Sequence, residues 1–207
     1  MTAGPGIGEL LGLAASISLL AGWRLYLCVF ATGIALRGGV MPVPEHLPAL
    51  AALANPWVIG IAALGAAAEF FADKLPWLDS LWDLAHTAIR PIGGAALALT
   101  IIDPSQPGWQ AAVFLLGGGG ALLAHGGKAG MRGAINMSPE PFTNVLASSI
   151  EDAVTAGLLS LIYAFPVTAS AVAAILFGMV CALLVALRRA FRKIVRKRKP
   201  PEDPPEV

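Results

Sequence analysis

Long apolar stretches alternate along the chain with short segments rich in proline and glycine. A helix that crosses a bilayer needs about 20 mostly apolar residues, and six of these stretches approach or exceed that length. The prolines between them break helices and therefore mark their ends. The pattern predicts an all-α integral membrane protein with about six transmembrane helices. The predicted helices cover about 7–35, 57–75, 79–102, 109–135 and 142–163, and a sixth runs from 166 into the basic tail.

A weak internal similarity relates the two halves of this pattern. The segment "LLAGWR" at 19–24 resembles "LLAHGGK" at 122–128, and each leads through a proline-containing loop to a helix with an acidic centre. A unit of three helices would place the two halves in opposite orientations, as in many small transporters. Chance similarity between two glycine-rich segments explains the match equally well. The predicted transmembrane domain is 1–187, with halves of about 7–103 and 108–187 that are compatible with two inverted three-helix repeats.

The composition supports a membrane protein, because 57% of the residues are hydrophobic and only 13% are charged. Soluble domains have about 25% charged residues. Basic residues cluster at 188–199, ahead of a proline-rich acidic end, so 188–207 is predicted to be a cytoplasmic tail. Six helices would then put both termini in the cytoplasm. We expect this basic segment to lie on anionic lipid headgroups rather than to bind nucleic acid.

Ionisable residues interrupt several apolar stretches, although each costs about 2.5 to 3.5 kcal/mol at the centre of a bilayer. They recur every three or four residues, which places them on one face of each helix. With Arg24 and Asp79 included, the set contains five basic and six acidic residues, and such near-neutrality suits a buried network. The candidate site residues are Glu69, Asp73, Lys74, Asp83, His86, Arg90, His125, Lys128, Arg132, Asn144, Ser148, Glu151 and Asp152.

Three functions are compatible with such a network. In a secondary transporter or ion-conducting protein, the carboxylates of Glu69, Asp73, Glu151 and Asp152 would bind a cation or proton, with the basic residues as counter-charges or contacts for a small solute. In an intramembrane enzyme acting on a lipid or phosphorylated substrate, acid/base and phosphate-binding groups would be supplied by Asp83, His86, His125, Lys128 and Arg132. In a non-catalytic scaffold, the charges would form structural ion pairs only.

The sequence favours transport over catalysis. It contains no nucleophile elbow, zinc-protease helix motif or phosphate-binding glycine loop, and Cys28 and Cys181 lack the spacing of a metal site. No cofactor is predicted, and a homo-oligomer is compatible with the sequence.

Three segments resemble a known family. "EFFADKLPWLD", "AHGGKAGMR" and "SPEPFTN" are similar to the signature segments of a bacterial family of small multi-spanning membrane proteins that is classed as a domain of unknown function. The resemblance covers roughly 12–180. It implies a multi-pass protein of the bacterial cytoplasmic (inner) membrane and assigns no activity.

Overall fold

The computed structural model describes residues 7–41, 47–136 and 141–197. Within these ranges the chain is helical, with no strand, which confirms the all-α prediction. The predicted helix positions agree with the structure to within a few residues, and a short additional helix precedes α3. The helices are α1 (Ile7–Arg37), α2 (Pro48–Ala52), α3 (Pro56–Ala72), α4 (Pro76–Thr100), α5 (Pro107–Asn136), α6 (Pro141–Ala164) and α7 (Ala169–Lys197), with a 3₁₀ turn at Pro166–Thr168.

Prolines begin most of these helices. Helices α2 to α6 each start at a proline, a residue suited to the first helical turn because it has no N–H group to leave unpaired there. The side chain of Asn55 also caps α3, since its Oδ1 accepts from the Trp57 amide at 2.9 Å. Pro91 lies inside α4 without ending it. The turn prolines therefore explain why the helix bounds were predictable.

The molecule is apolar outside and charged inside. Its largest fully buried side chains are Arg24, Arg90, Arg132 and Lys128, whereas Trp57 is 81% exposed. Water-soluble proteins bury such charges rarely, and an apolar exterior suits lipid. Three helices in the described ranges are long and apolar enough to cross a membrane, judged by length and composition. These are Gly8–Arg37, Phe142–Ala164 and Ala169–Ala190.

Helix α1 is bent sharply at Arg24, whose backbone is non-helical (φ −141°, ψ 73°). Ser16, before the bend, donates to the carbonyl of Ala169 at 2.6 Å. Thr32, after the bend, forms a hydrogen bond with the hydroxyl of Tyr163 at 2.5 Å. Both contacts are at the junction of α6 and α7, so the two arms of α1 return to the same end of the bundle. We call this element the α1 hairpin, with arms 7–23 and 25–37 and its tip at Arg24.

Packing along the neighbouring helices confirms this path. Along the first arm, Ser18 lies near Gly117 and Trp23 near Lys128, so the arm runs parallel to α5. The second arm runs antiparallel to α3, because Tyr26 contacts Gly65 near the end of α3. Gly33 lies close to Ile59 near its start. The α1 hairpin therefore reaches into the bundle and turns back.

The bend changes the predicted arrangement of the first segment. We expected one span that is long enough to tilt or bend, with a possible break at Gly22 beside Arg24. In the structure the bend is at Arg24 itself, and α1 begins and ends near the junction of α6 and α7. Helix α7 runs from this junction alongside α5, with Leu183 near Gly127 and Leu187 near Gly130. The start of α1 and the end of α7 consequently lie at opposite ends of the bundle. Since α5 has no such bend, α1 and α5 follow different paths, and the inverted repeat stays a prediction.

The predicted tail is helical where the structure describes it. Helix α7 continues to Lys197, so the basic segment is part of this helix from 188 to 197. Residues 198–207, including the proline-rich end, lie outside the described residues.

Candidate functional site

Charged side chains from five helices meet around the tip of the α1 hairpin. Besides α1, they come from the end of α3, from α4 as far as Arg90, from the second half of α5 and from the first half of α6. They form two groups. The Asp73 cluster contains Arg24, Asp73, Lys74, Lys128, Arg132, Asn144, Ser148, Glu151 and Asp152. The Arg90 cluster contains Glu69, Asp83, Thr87, Arg90 and His125.

Two carboxylates share three cations at the centre of the Asp73 cluster. Oδ2 of Asp73 contacts Nη1 of Arg24, Nζ of Lys128 at 2.7 Å and Nη2 of Arg132 at 3.7 Å. Oε2 of Glu151 lies 3.1 Å from Nη2 of Arg132, and 3.6 Å from both Nη2 of Arg24 and Nζ of Lys128. All five side chains are buried. Each carboxylate therefore holds its charge by contact with all three cations.

One edge of this cluster is partly exposed. Nε of Arg24 lies 3.0 Å from Oδ1 of Asp152, whose Oδ2 is 3.7 Å from Nζ of Lys74. Lys74 also donates to Oγ of Ser148 at 3.1 Å, and Arg24 donates to the carbonyl of Ser148 at 3.1 Å. The side chains of Lys74 and Asp152 are 22% and 25% exposed, so this edge is where the cluster reaches the surface.

Asn144 joins α6 to the turn between α3 and α4. Its Oδ1 and its carbonyl accept from Nη1 of Arg132 at 2.5 and 3.0 Å. Its Nδ2 donates to the carbonyl of Asp73 at 2.9 Å. Asn144 therefore fixes the relative positions of Arg132 and Asp73 without adding charge.

The second cluster is organised by Arg90. Its Nη2 donates to Oε1 of Glu69 at 2.8 Å, and its Nη1 donates to Oδ1 of Asp83 at 3.0 Å. Nη1 also lies 2.7 Å from Nδ1 of His125. Since a guanidinium can only donate, Nδ1 of His125 must accept, and the imidazole is neutral with its proton on Nε2. That Nε2 is 3.1 Å from the carbonyl of Asp83, to which it donates.

His86 belongs to an aromatic group instead of to either cluster. Its Nδ1 lies 2.8 Å from the carbonyl of Trp82, so it donates, and its Nε2 is 3.2 Å from the hydroxyl of Tyr26. The ring stacks on Trp82 with centroids 4.4 Å apart. A neutral His86 satisfies both contacts, with Tyr26 as the donor to Nε2. In the structure His86 therefore lies apart from the basic residues of α5, with which the enzyme alternative had combined it.

Two small recesses adjoin the clusters. One, of about 230 Å³, lies among α1, α3 and α6. It is lined by Arg24, Leu27, Ala66, Glu69, Phe70, Asp152 and Ala156. The other, of about 270 Å³, lies between α4 and α5 and includes Asp79, Ser80, Asp83, Thr87 and Arg132 in its lining. Each could hold water or a small ion next to the buried charges.

The structure therefore brings all but one of the candidate residues into the two clusters, and it adds residues that the sequence analysis left out. Arg24 contacts the carboxylates of Asp73, Glu151 and Asp152, yet it was absent from the candidate set. Its signal was its position as the one charge in the middle of a long apolar segment. The signal for Thr87 was its three-to-four spacing from Asp83 and Arg90 on the polar face of α4.

Among the described residues, no group of three or more histidine, cysteine or acidic side chains is arranged to hold a metal ion. The chemistry that these side chains offer is the binding of protons, of a small cation by carboxylates, or of an anionic group by Arg and Lys.

Comparison with known proteins gives one match. A family model described as a domain of unknown function (DUF4126) matches residues 11–188. No match was found among curated proteins or among solved structures.

Proposed function

Because the chain belongs to the DUF4126 family, a domain of unknown function whose matched region includes both charged clusters, we propose a function from the geometry of those clusters. The protein is a secondary transporter or ion-conducting protein of the bacterial cytoplasmic membrane. Its solute or ion binds at the Asp73 and Arg90 clusters.

The observation that carries this proposal is the break of α1 at Arg24 inside the bundle. Irregular backbone at membrane depth is tolerated where it is buried in protein or lines a polar cavity. Many secondary transporters build their sites from such broken helices near the middle of the membrane. At the break, the Arg24 side chain contacts the carboxylates of Asp73 and Asp152, which belong to two other elements.

The number of buried charges also favours a functional site over simple stabilisation. A buried ion pair often stabilises a protein less than an apolar replacement of the same volume. Two or three pairs would suffice to fix the helices, whereas Arg24, Asp73, Lys128, Arg132 and Glu151 form one continuous set linked to a second cluster. The two adjoining recesses give this set access to water or solute.

The path of α1 suggests a membrane topology. With its tip in the bundle and both arms returning to one side, α1 would be a re-entrant hairpin, and α3 to α7 would make five crossings. The basic end of α7 would be cytoplasmic by the positive-inside rule. The start of α1 would then be on the outer side of the membrane, instead of in the cytoplasm as the six-helix pattern suggested.

Flux measurements in proteoliposomes test the proposal. The purified protein is reconstituted and assayed against a panel of cations, anions and small metabolites, with empty liposomes as the blank. The informative variant is Lys74→Gln, which removes a cation from the partly exposed edge of the Asp73 cluster. The matched control is Arg37→Gln, which removes an exposed cation at the end of α1.

We expect the native protein to increase the flux of at least one solute. Lys74→Gln should change that flux at an unchanged melting temperature, and Arg37→Gln should change neither. Native protein that moves no solute in the panel would reject transport in favour of a scaffold. Turnover of a lipid or phosphorylated compound added to the same vesicles would favour the enzyme.

A further inference from the structure

One carboxylate of the Asp73 cluster is held less firmly than the others. Asp152 has one close cation, with Nε of Arg24 at 3.0 Å from its Oδ1, and a more distant one, with Nζ of Lys74 at 3.7 Å from its Oδ2. Asp73 and Glu151 each face three cations. The Asp152 side chain is also 25% exposed, whereas that of Asp73 is buried. A rotation of the Asp152 side chain to another rotamer would therefore break both of its contacts without moving a helix.

The two cations that hold this carboxylate have other contacts that keep them in place. Arg24 is fixed by its ion pair with Asp73, and its Nη2 donates to the carbonyl of Ser148 at 3.1 Å. Nζ of Lys74 donates to Oγ of Ser148 at 3.1 Å and lies 3.8 Å from the centre of the Phe70 ring. Binding to groups that are already in position avoids the cost of ordering them. Arg24 and Lys74 are therefore preorganised to receive a negatively charged group.

A recess of about 230 Å³ lies beside these cations. Arg24 and Asp152 both line it, and so does Phe70, the ring on which Lys74 packs. The remaining lining residues are apolar except for one acid, and they are Leu27, Ala66, Glu69 and Ala156. Pockets for drug-sized ligands have volumes of about 300 to 1,000 Å³. This recess therefore suits a smaller molecule with a short apolar part.

The charges around the recess favour a ligand with one negative charge. Arg24 and Lys74 would meet that charge at the place that the Asp152 carboxylate now fills. Glu69, which is paired with Arg90, also lines the recess, and its carboxylate would repel a second negative charge on the ligand. A short-chain monocarboxylate combines these properties, because its charged group is the same as that of the aspartate side chain in this place.

We propose that the Asp152 carboxylate occupies an anion-binding site formed by Arg24 and Lys74, and that a small monocarboxylate displaces it and places its apolar part in the recess. Asp152 is then a tethered competitor, which neutralises the two cations when no ligand is bound. The binding site rests on the contacts of these three residues. That the bound carboxylate is also the transported solute rests on the proposed function.

Binding of butyrate to the purified protein in a non-ionic detergent tests the site, with empty micelles as the blank. Saturation-transfer NMR detects weak binding of this kind, and a titration gives the Kd. We expect the native protein to bind butyrate but not 1-butanol, which has the same chain without the charge. Succinate should bind more weakly than butyrate, because Glu69 faces the same recess as its second carboxylate.

Two substitutions should change the affinity for butyrate in opposite directions. Asp152→Asn removes the competing carboxylate. If that carboxylate fills the site for about nine-tenths of the time, its removal lowers the Kd about tenfold. Lys74→Gln removes one of the two cations and should raise the Kd by about tenfold or more. The matched control is Arg37→Gln, which removes an exposed cation at the end of α1 and should leave the Kd unchanged.

An ion pair that only stabilises the helices gives a different result. In that case Asp152→Asn would lower the melting temperature without tightening the binding of butyrate, and this outcome would overturn the proposal. It would also be overturned if neither the native protein nor Asp152→Asn bound butyrate, or if inorganic phosphate bound more tightly than butyrate. If Asp152→Asn does not fold, Asp152→Ser removes the same carboxylate with a smaller side chain and should show the same gain in affinity.

The flux assay separates the binding site from transport itself. Butyrate binding that responds to both substitutions, in a protein that moves no solute of the panel, would reject transport and keep the binding site. Transport of a cation by a protein that binds no butyrate would keep transport and reject the binding site.

Discussion

Arg24, at the tip of the α1 hairpin, forms a buried ion pair with Asp73, the residue that caps the C-terminal end of α3. Nζ of Lys128 approaches the same carboxylate oxygen at 2.7 Å. The pair fastens the bend of α1 to the turn between α3 and α4. The position of the hairpin tip therefore depends on one carboxylate.

Replacing that carboxylate should be strongly destabilising. Asp73→Asn removes the charge shared by Arg24, Lys128 and Arg132 and leaves three buried cations with too few acidic partners. Loss of one partner from a buried ion pair typically costs about 3 to 5 kcal/mol. We expect a drop of this order in the free energy of unfolding, measured by thermal or chemical denaturation in detergent.

The control for this prediction is Lys74→Gln, the next residue in the chain. Lys74 is 22% exposed and its partner Asp152 keeps its contact with Arg24, so the melting temperature should stay close to that of the native protein. Equal losses of stability in the two variants would contradict the different surroundings of these two residues.

The two ends of the described chain should label from opposite sides of the membrane. A cysteine introduced at Gly8, in a background with Cys181 replaced by alanine, should react with an impermeant reagent added outside intact cells. A cysteine at Arg192 in the same background should react only after the membrane is opened, because the basic end of α7 favours the cytoplasm. Labelling of both positions from the same side would favour an even number of crossings.

Close packing of the first arm on α5 predicts a sharp effect at Gly22. A Cβ atom at this position would lie 2.7 Å from Cβ of Ala124 and would also overlap the carbonyl of Ala121. Gly22→Leu should therefore force the arm away from α5, at a typical overpacking cost of about 1 to 3 kcal/mol or more. The control is Gly8→Leu, since a Cβ at Gly8 would have no atom within 4 Å. Melting temperatures in one detergent compare the two variants.

The second arm depends on a hydrogen bond that a conservative change can remove. Tyr163→Phe deletes the hydroxyl that lies 2.5 Å from Oγ1 of Thr32. The hydroxyl of Thr32 keeps its hydrogen bond to the carbonyl of Cys28, at 2.6 Å, so it is not left without a partner. We expect a loss of about 0.5 to 1.5 kcal/mol, as for a typical hydrogen bond. A loss as large as that of Asp73→Asn would mean that Tyr163 does more than hold the arm.

The helix bounds were predictable because prolines stand at the starts of α3, α4, α5 and α6, where apolar stretches begin. The bend in α1 was predictable only as a possible break at Gly22 beside Arg24, because no proline lies within the stretch from 7 to 37 and its apolar composition is similar on both sides of Arg24. The cause of the bend lies elsewhere in the sequence. Arg24 contacts carboxylates at Asp73 and Asp152, and such long-range pairs cannot be read from local composition.

The candidate site was likewise predictable from the sequence only in part. Spacing along α5 correctly placed His125, Lys128 and Arg132 on one face. Spacing could not show that His125 turns to Arg90 while Lys128 and Arg132 turn to Asp73 and Glu151, because this depends on how the helices are rotated against one another. Spacing also could not show that His86 lies outside both clusters, since its partner Tyr26 is on the returning arm of α1.

The tip of the α1 hairpin has a polarity of its own. The first arm ends at Arg24 with its last carbonyl groups, and the second arm begins there with its first amide groups. The helix dipoles therefore bring a partial negative and a partial positive charge to the same point. The carbonyl of Trp23 already uses the negative end, since it accepts from Nζ of Lys128 at 3.3 Å. The backbone at this single bend can consequently stabilise a cation on one side and an anion on the other without any additional side chain.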